Sequence, residues 1–291
     1  KGTMATIKLL DGILTLEGKT TYSEAAAAKL NGCLVTVSSY KRDYLTLSKV
    51  NGKGASTALN LTTNRMGTKE LSAGARFFEQ VGNGRLVEID RSDITITSIP
   101  ANKITYVGYD WAGRVDKLVL NDVTGDRYDY GIIHYQPAGY QETPGNPNGN
   151  GEYKNGEISV TNGSFPKGMT PYVVGSVDGA KTNRMGGVAG SLDQLDGKNR
   201  MAAFMPLNEA TGIRRAQFDT DAMLLTTNSM VIPISDKVEC YNKTTGDWFK
   251  PGEDGDHKAA LNLALAFSDD ITVYYDRSPE EGGKVRIVVV E

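Results

Sequence analysis

The sequence contains few of the residues from which metal centres and disulfide frameworks are built. It has two histidines, His134 and His257, and two cysteines, Cys33 and Cys240. This count excludes a histidine-rich metal centre, and each histidine is expected to be a hydrogen-bonded or surface side chain and not a general base. Both cysteines lie in strand-like patterns, which favours buried thiols that pack as small hydrophobic groups. A disulfide between the two halves of the chain is the alternative.

The sequence also lacks long apolar runs and clusters of positive charge. No stretch approaches the roughly 18 apolar residues of a transmembrane helix. The net charge is −3, and the 32 basic residues are scattered along the chain. We therefore expect no membrane insertion and no nucleic-acid partner. The first residues read as a strand and not as an export signal, so the chain is interpreted as a mature product or as a fragment of a larger precursor.

Glycine and tyrosine are the residues that the chain has in quantity. There are 33 glycines, and the 14 tyrosines outnumber the 7 phenylalanines. Many short strands joined by glycine-containing turns have this composition. A length of 291 residues also allows two domains, each with its own core.

Two β-hairpins with similar sequences lie in opposite halves of the chain. In each, β-branched and aromatic residues flank a turn that contains glycine. The similarity extends backwards to a segment in which an aliphatic–serine pair precedes a strand with an aromatic residue. The shared order and spacing predict an internal duplication; the alternative is that any two hairpins rich in Tyr, Asp and Gly look alike. The matching segments are residues 71–79 with 234–242, 104–110 with 271–276, and 114–120 with 284–290.

These patterns predict a mainly β protein. We expect two diverged β-barrel or β-sandwich modules built from antiparallel hairpins, with one short helix in the N-terminal module. The predicted boundaries are 1–139 for the N-terminal module, 140–156 for a linker rich in Pro, Gly and Asn, and 157–291 for the C-terminal module. A long loop within one domain is the alternative interpretation of the linker.

Two segments bear on the helix content. Ala25–Leu30 is predicted to be the helix of the N-terminal module, with Ser23 as its N-cap. Leu261–Phe267 alternates apolar and other residues, which predicts a strand, although its composition also suits a helical turn.

Three aromatic residues are candidates for binding a ligand by stacking: Trp111, Trp248 and Tyr109. Trp111 lies at the tip of the first hairpin, and Trp248 lies near a turn in the second half. Exposed aromatic rings stack on sugars, whereas single aromatics at turns more often pack locally.

An acidic turn before His257 is the one candidate for a cation site. Glu253, Asp254 and Asp256 offer the carboxylate oxygens that Ca²⁺ prefers. Their spacing matches no EF-hand loop, and a solvated loop is the alternative. No other cofactor is expected.

The sequence has no catalytic signature to which we assign a residue. Asp122 and Asp126 have the residue type of paired hydrolase carboxylates, but an aspartate before glycine also stabilises turns. No serine has the context of a nucleophile elbow, and no glycine-rich loop forms a phosphate cradle. The chain is therefore expected not to be an enzyme.

Residues 103–110, 113–115 and 118–131 resemble the region that follows the S-layer homology repeats in large surface proteins of Gram-positive gut Clostridia. Residues 273–277 and 282–289 resemble the end of such proteins. Together with the alanine-rich helix and the strand after Gly32, the similarity loosely covers most of the chain. The S-layer homology repeats themselves are absent from this sequence, so the resemblance does not extend to direct anchoring in the wall.

The resemblance implies an exported, non-enzymatic structural or display module at the cell surface or cell wall. Its implied partners are other envelope proteins or a cell-wall polymer. A carbohydrate- or ligand-binding surface module is the first alternative, and a carboxylate-dependent hydrolase domain is the last.

Overall fold

The computed structural model describes most of the chain outside its middle. The described residues are 2–10, 14–31, 33–50, 54–81, 86–136 and 204–291, with strand segments between 152 and 189; side chains are described except at 129 and 131–206. The chain folds into two compact units. The first comprises Lys1–Asp93 and Thr97–Val123, and the second comprises Ile94–Ile96 and Thr124–Glu291.

The first unit begins with a four-stranded sheet in the order β1-β2-β4-β3. The helix α1, Glu24–Ala28, connects β2 to β3, and the Ser23 side chain accepts a hydrogen bond from the Ala26 amide at its N-terminus. The predicted helix and its cap are thereby confirmed. Strands β2 and β4 pair in parallel, and the other pairs are antiparallel. The strands are β1 Met4–Lys8, β2 Thr15–Thr20, β3 Val35–Lys41 and β4 Tyr44–Lys49.

The second sheet of the first unit is built around one long strand. Its strands are β5 Leu59–Asn60, β6 Arg65–Met66, β7 Lys69–Gln80, β8 Val87–Ile89, β9 Ser98–Ile99, β10 Ile104–Tyr109 and β11 Val115–Asn121. The order is β10-β11-β7-β6-β5-β9, and β8 also pairs with β7. The start of β7 pairs with β6, while its end lies between β8 and β11. The β7–β11 pair is parallel.

The second unit opens with a five-stranded sheet in the order β13-β14-β12-β15-β20 and two short ribbons, β16-β17 and β18-β19. The β12–β14 pair is parallel and the others are antiparallel. The strands are β12 Asp129–Gln136, β13 Glu152–Lys154, β14 Glu157–Thr161, β15 Met169–Val174, β16 Ser176–Val177, β17 Ala180–Lys181, β18 Arg184–Met185, β19 Val188–Ala189 and β20 Phe204–Pro206.

The last sheet of the second unit has the order β21-β26-β27-β24-β23-β22, and β25 also pairs with β24. Helix α2, His257–Phe267, connects β25 to β26 and contributes to a core with β24 and β27. The strands are β21 Asn208–Ile213, β22 Phe218–Asp219, β23 Leu224–Thr226, β24 Val231–Asn242, β25 Asp247–Trp248, β26 Ile271–Tyr275 and β27 Val285–Val290.

The two units contain the same sheet arrangement. In each, a twelve-residue strand, β7 or β24, pairs in parallel with the last strand of a hairpin, β11 or β27. Both pairings break their register in the middle: Leu71 pairs with Val115, and Ile234 pairs with Val285, before the shift. The structural equivalence therefore matches the residue pairs that are similar in sequence.

Two turns repeat as well, although their residue types differ. Asn64 and Met223 both have positive φ angles, of 53° and 50°. Each accepts a hydrogen bond of 2.8 Å through its carbonyl from the long strand, at Leu71 or Ile234. The backbone geometry is thus repeated where the side chains are not.

The strand predicted at Leu261–Phe267 is wrong, because these residues belong to helix α2. Alternation would place Leu261, Leu263 and Leu265 on one face. In the helix, Leu261 and Leu265 are buried, whereas Leu263 is 58% exposed. The capping side chain of Asp256, which accepts from the Lys258 and Ala259 amides, starts the helix.

The predicted module boundaries differ from the division into units. The first unit ends at Val123, before β12. The predicted linker 140–156 lies outside the described residues except for β13 at its end. The hairpins are antiparallel as expected, and parallel pairs join them to the neighbouring strands.

Leucine truncation in α2 tests the helical register. We expect Leu265→Ala to lower the free energy of unfolding by about 2–5 kcal/mol, because it leaves a cavity in the core. The matched variant Leu263→Ala is expected to change it by no more than about 0.5 kcal/mol. Urea denaturation of both variants measures the difference. Equal losses would contradict the helical placement.

Candidate functional site

The first unit contains a cleft of about 1050 Å³ between its two sheets. The N-terminal sheet contributes partly buried apolar side chains, and the second sheet contributes charged and aromatic ones. The lining includes Ile7, Val35 and Val37 on the first side and Arg76, Glu88, Tyr106, Gly108, Tyr109, Asp116 and Lys117 on the second.

Strand register explains why one face of the second sheet lines the cleft. Lys117 is paired with both Gly108 and Arg76, and Phe78 is paired with Glu88. Residues that are directly opposite in neighbouring strands point to the same side, and side chains alternate along a strand. The opposite face carries the buried Phe77 and Leu118. One sheet therefore has an apolar core face and a charged cleft face.

Arg76 and Glu88 form a two-point ion pair on this face. The Nε–Oε1 and Nη2–Oε2 distances are 2.6 and 2.7 Å, and Nη1 donates to the Leu10 carbonyl. The hydrogen bonds from Arg76 hold the pKa of Glu88 below its usual value. The pair stays ionised at neutral pH and offers donors and acceptors side by side.

A second ion pair lies beside it on β11. The Lys117 Nζ is 2.6 Å from Asp116 Oδ2. The other oxygen, Asp116 Oδ1, is buried and accepts no hydrogen bond within the described part of the chain. The cations on β7 and β11 are thus each joined to a carboxylate.

On the equivalent face of the second unit, a cluster of described side chains is packed together. Tyr241, Ile287 and Val289 are buried there, and Tyr130, Leu207, Trp248 and Tyr274 pack against them. By register, Gly108, Lys117 and Glu88 correspond to Tyr274, Ile287 and Trp248, whereas Arg76 corresponds to another charged residue, Glu239. At three of these four positions the first unit has a glycine or a charge where the second has an aromatic or aliphatic group.

The structure separates the three aromatic candidates. Trp111 is 96% exposed at the β10–β11 tip, and Tyr109 is about half exposed and lines the cleft. Trp248 belongs to the second unit and packs edge-on against Tyr241, with ring centroids 5.0 Å apart. Of the three, Tyr109 is the one that lines this cleft.

The Trp111 turn is held by Asp110. Its Oδ1 accepts hydrogen bonds of 2.9 Å from the Ala112 and Arg114 amides, and its Oδ2 is 2.8 Å from Arg114 Nε. The hydrogen bond from the Arg114 amide is the main cause that lowers the pKa of Asp110. Asp276 has the equivalent role in the second unit, where its Oδ1 accepts from the Lys284 amide.

The acidic turn proposed for Ca²⁺ has a structural use for one of its carboxylates. Asp256 caps helix α2, and Asp254 adopts a positive φ of 59° in the turn Glu253–Gly255. Across the described ranges, no group of three or more His, Cys, Asp or Glu side chains is arranged to hold a metal ion.

The histidine and cysteine side chains that are described have ordinary surroundings. His257 Nδ1 lies 3.0 Å from the Val238 carbonyl, and the side chain of His134 lies outside the described residues. Cys33 and Cys240 are free thiols, so they do not form the alternative disulfide. Burial raises the pKa of the Cys240 thiol, which keeps it protonated.

A buried cation in the second unit was not predicted. Arg286 is 2% exposed in β27, and its guanidinium binds Asp126 and Asp276 and the Thr124 carbonyl. Lys284, also buried, lies 2.6 Å from Asp126 Oδ2. Arg277 Nε also lies 3.6 Å from Asp276 Oδ2, so three cations face two carboxylates in this cluster. The sequence does mark Arg286 as unusual, because it interrupts an otherwise apolar strand. Its partner Asp126 lies 160 residues earlier, so the pairing has no local sequence signal.

Tyr130 and Gly125 complete this ionic cluster. The Tyr130 hydroxyl donates to the Gly125 carbonyl at 2.7 Å, and Arg286 lies 4.7 Å from the Tyr130 ring centroid. Burial raises the pKa of Tyr130 well above its usual value, so the hydroxyl remains a donor. Gly125 has a φ of 73°, and a Cβ there would collide with Asp276 and Arg286.

The two aspartates considered as hydrolase carboxylates, Asp122 and Asp126, belong to different units. Asp126 belongs to the ionic cluster of the second unit. Asp122 follows β11 in the first unit, and its Oδ2 lies 4.0 Å from Lys103 Nζ. The structure does not bring the two into one site within either unit.

No protein-family model, curated protein or solved structure matches the chain. In the part of the chain that the structure describes, no helix has the length and apolar character needed to cross a membrane.

Acid is expected to weaken the ionic cluster through Asp126. Burial alone would raise the pKa of Asp126, but the charges of Arg286 and Lys284 outweigh it and hold that pKa low. The unfolded pKa is about 3.9, so the stabilisation is present above about pH 4 and is lost as pH falls through the folded pKa. The difference in melting temperature between wild type and Asp126→Asn should shrink from pH 6 to pH 3.

Asp221, whose side chain is 97% exposed beside Lys258, provides the matched control. Asp221→Asn should change the melting temperature little at any pH, because exposed ion pairs contribute little. An Asp126→Asn effect as small as the control at pH 6 would contradict the prediction.

Alanine substitution at two glycines with similar backbone angles distinguishes the cost of backbone strain from the cost of a steric collision. Gly125 and Gly212 have φ angles of 73° and 69°, but a Cβ at Gly212 meets nothing within 4 Å. We expect Gly212→Ala to cost about 1–2 kcal/mol from the left-handed backbone alone. Gly125→Ala should cost clearly more, and chemical denaturation compares them. Equal costs would show that the cluster tolerates the methyl group.

Proposed function

We propose that the chain is a non-enzymatic structural or display module of an exported bacterial cell-surface protein. The observation that carries the proposal is the repeated sheet, in which charged groups serve as fixed structural partners. Asp110 and Asp276 bind the turns of the two closing hairpins, and Asp126 is bound by buried cations. A general acid or base must exchange a proton with a substrate, which a carboxylate committed to such contacts does poorly.

The resemblance to surface proteins supports the same function. The similar residues 118–131 include the segment that supplies Thr124, Asp126 and Tyr130 to the ionic cluster of the second unit. The resembling residues are therefore those on which the packing of this unit depends. They support an architectural relationship, with envelope proteins or a cell-wall polymer as partners.

The first closing hairpin suits display. Its turn is held by several hydrogen bonds to Asp110, while Trp111 projects with 96% of its surface exposed. A rigid turn presents a side chain to a partner at a small cost in conformational entropy.

Chemical labelling of intact cells tests the location. A membrane-impermeant amine reagent applied to the producing bacterium should modify the exposed Lys69 and Lys250, as read by mass spectrometry of tryptic peptides. Lys284 is 5% exposed and ion-paired, so it should be modified only after denaturation. A cytosolic protein of the same cells serves as the leakage control. Labelling that requires cell lysis would overturn the proposal.

A further inference from the structure

The repeated sheet provides an internal comparison for the cleft of the first unit. In the second unit, Tyr274, Ile287 and Trp248 lie on the equivalent face and belong to a packed cluster. The corresponding residues of the first unit, Gly108, Lys117 and Glu88, line a cleft of about 1050 Å³. Among the described residues, the two equivalent faces thus differ in side chains that occupy space in one unit and leave polar surface in the other.

The charges in the cleft balance one another. The described charged residues that line it are Lys8, Glu24, Arg76, Glu88, Asp116 and Lys117. Three are cationic and three are acidic, and Arg76 and Lys117 are each in contact with a carboxylate. An anionic ligand would have to displace these carboxylates, and a cationic ligand would have to displace the arginine and lysine. The charge pattern favours a ligand with no net charge.

The remaining lining has two further properties. Tyr106 and Tyr109 lie along β10, with Tyr109 about half exposed, and Ile7, Val35 and Val37 lie on the opposite side. Aromatic and aliphatic surfaces suit the C–H faces of a ligand, while ion pairs suit groups that both donate and accept hydrogen bonds. The cleft volume of about 1050 Å³ slightly exceeds the usual range for small-ligand pockets, about 300–1,000 Å³.

We propose that this cleft binds an uncharged oligosaccharide. Sugar hydroxyls donate to Glu88 and Asp116 and accept from Arg76 and Lys117, and a sugar ring stacks on Tyr109. The inference goes beyond the display function and does not depend on where the protein is located.

Calorimetric titration of the full chain tests the proposal. The probes are maltotetraose, cellotetraose and N-acetylchitotetraose, with inorganic phosphate as the anionic probe. We expect saturable binding of at least one tetrasaccharide, with a Kd that changes less than twofold between 0.05 and 0.5 M NaCl, because screening does not act on a neutral ligand. Phosphate should not bind.

Variants locate the site. Tyr109→Ala and Glu88→Ala should each weaken binding at least tenfold, whereas Tyr109→Phe should retain it. Tyr44→Ala is the matched control, because Tyr44 is an exposed tyrosine of the same unit that does not line the cleft. Circular dichroism of each variant verifies that it remains folded.

Three outcomes would overturn the proposal. They are failure of all three tetrasaccharides to bind, binding of phosphate in their place, and binding that is retained in both Tyr109→Ala and Glu88→Ala. The labelling of intact cells is unaffected by any of them, so the two proposals fail separately.

Discussion

Parallel pairing of a long bent strand with the last strand of a hairpin is the constraint on which both units depend. Two parallel neighbours need a connection that crosses from the end of one to the start of the other. In the first unit this crossover contains β8, β9 and β10, and in the second it contains β25, helix α2 and β26. Because a slip of one residue would exchange the two faces of the sheet, the pairing also determines which side chains form the core. The units differ mainly in the crossover and in the face turned away from that core.

Burial of Arg286 shows how the second unit accommodates charge in its interior. An isolated guanidinium with 2% exposure would be very costly, and a buried charge is tolerated when its partners are well placed. Here the carboxylates come from Asp126 before β12 and Asp276 after β26, so the cluster joins segments that are remote in the chain. In the first unit, Asp116 occupies the position equivalent to Arg286 and lines the cleft. The same position in the framework therefore serves packing in one unit and a polar surface in the other.

Local patterns predicted much of this fold, and the rest depends on contacts between remote residues. The closing hairpins and Ser23 cap were predictable because strand alternation and capping act over a few residues. Helix α2 was not, because Leu261, Leu263 and Leu265 fit a strand alternation as well as a helix. The Asp256 cap before it was the available signal. The ion pair between Asp126 and Arg286 spans 160 residues, and the cleft arises from two sheets, so neither has a local signature.

The two tryptophans divide between the units and between environments. Trp111 in the first unit is almost fully in water, whereas Trp248 in the second is partly buried against Tyr241. The chain has no other tryptophan. Ultraviolet emission thus contains one red-shifted and one shielded component, and only the shielded one should change its colour when its surroundings melt. A shift in the tryptophan emission therefore monitors unfolding of the second unit, whereas unfolding of the first unit leaves the emission wavelength unchanged.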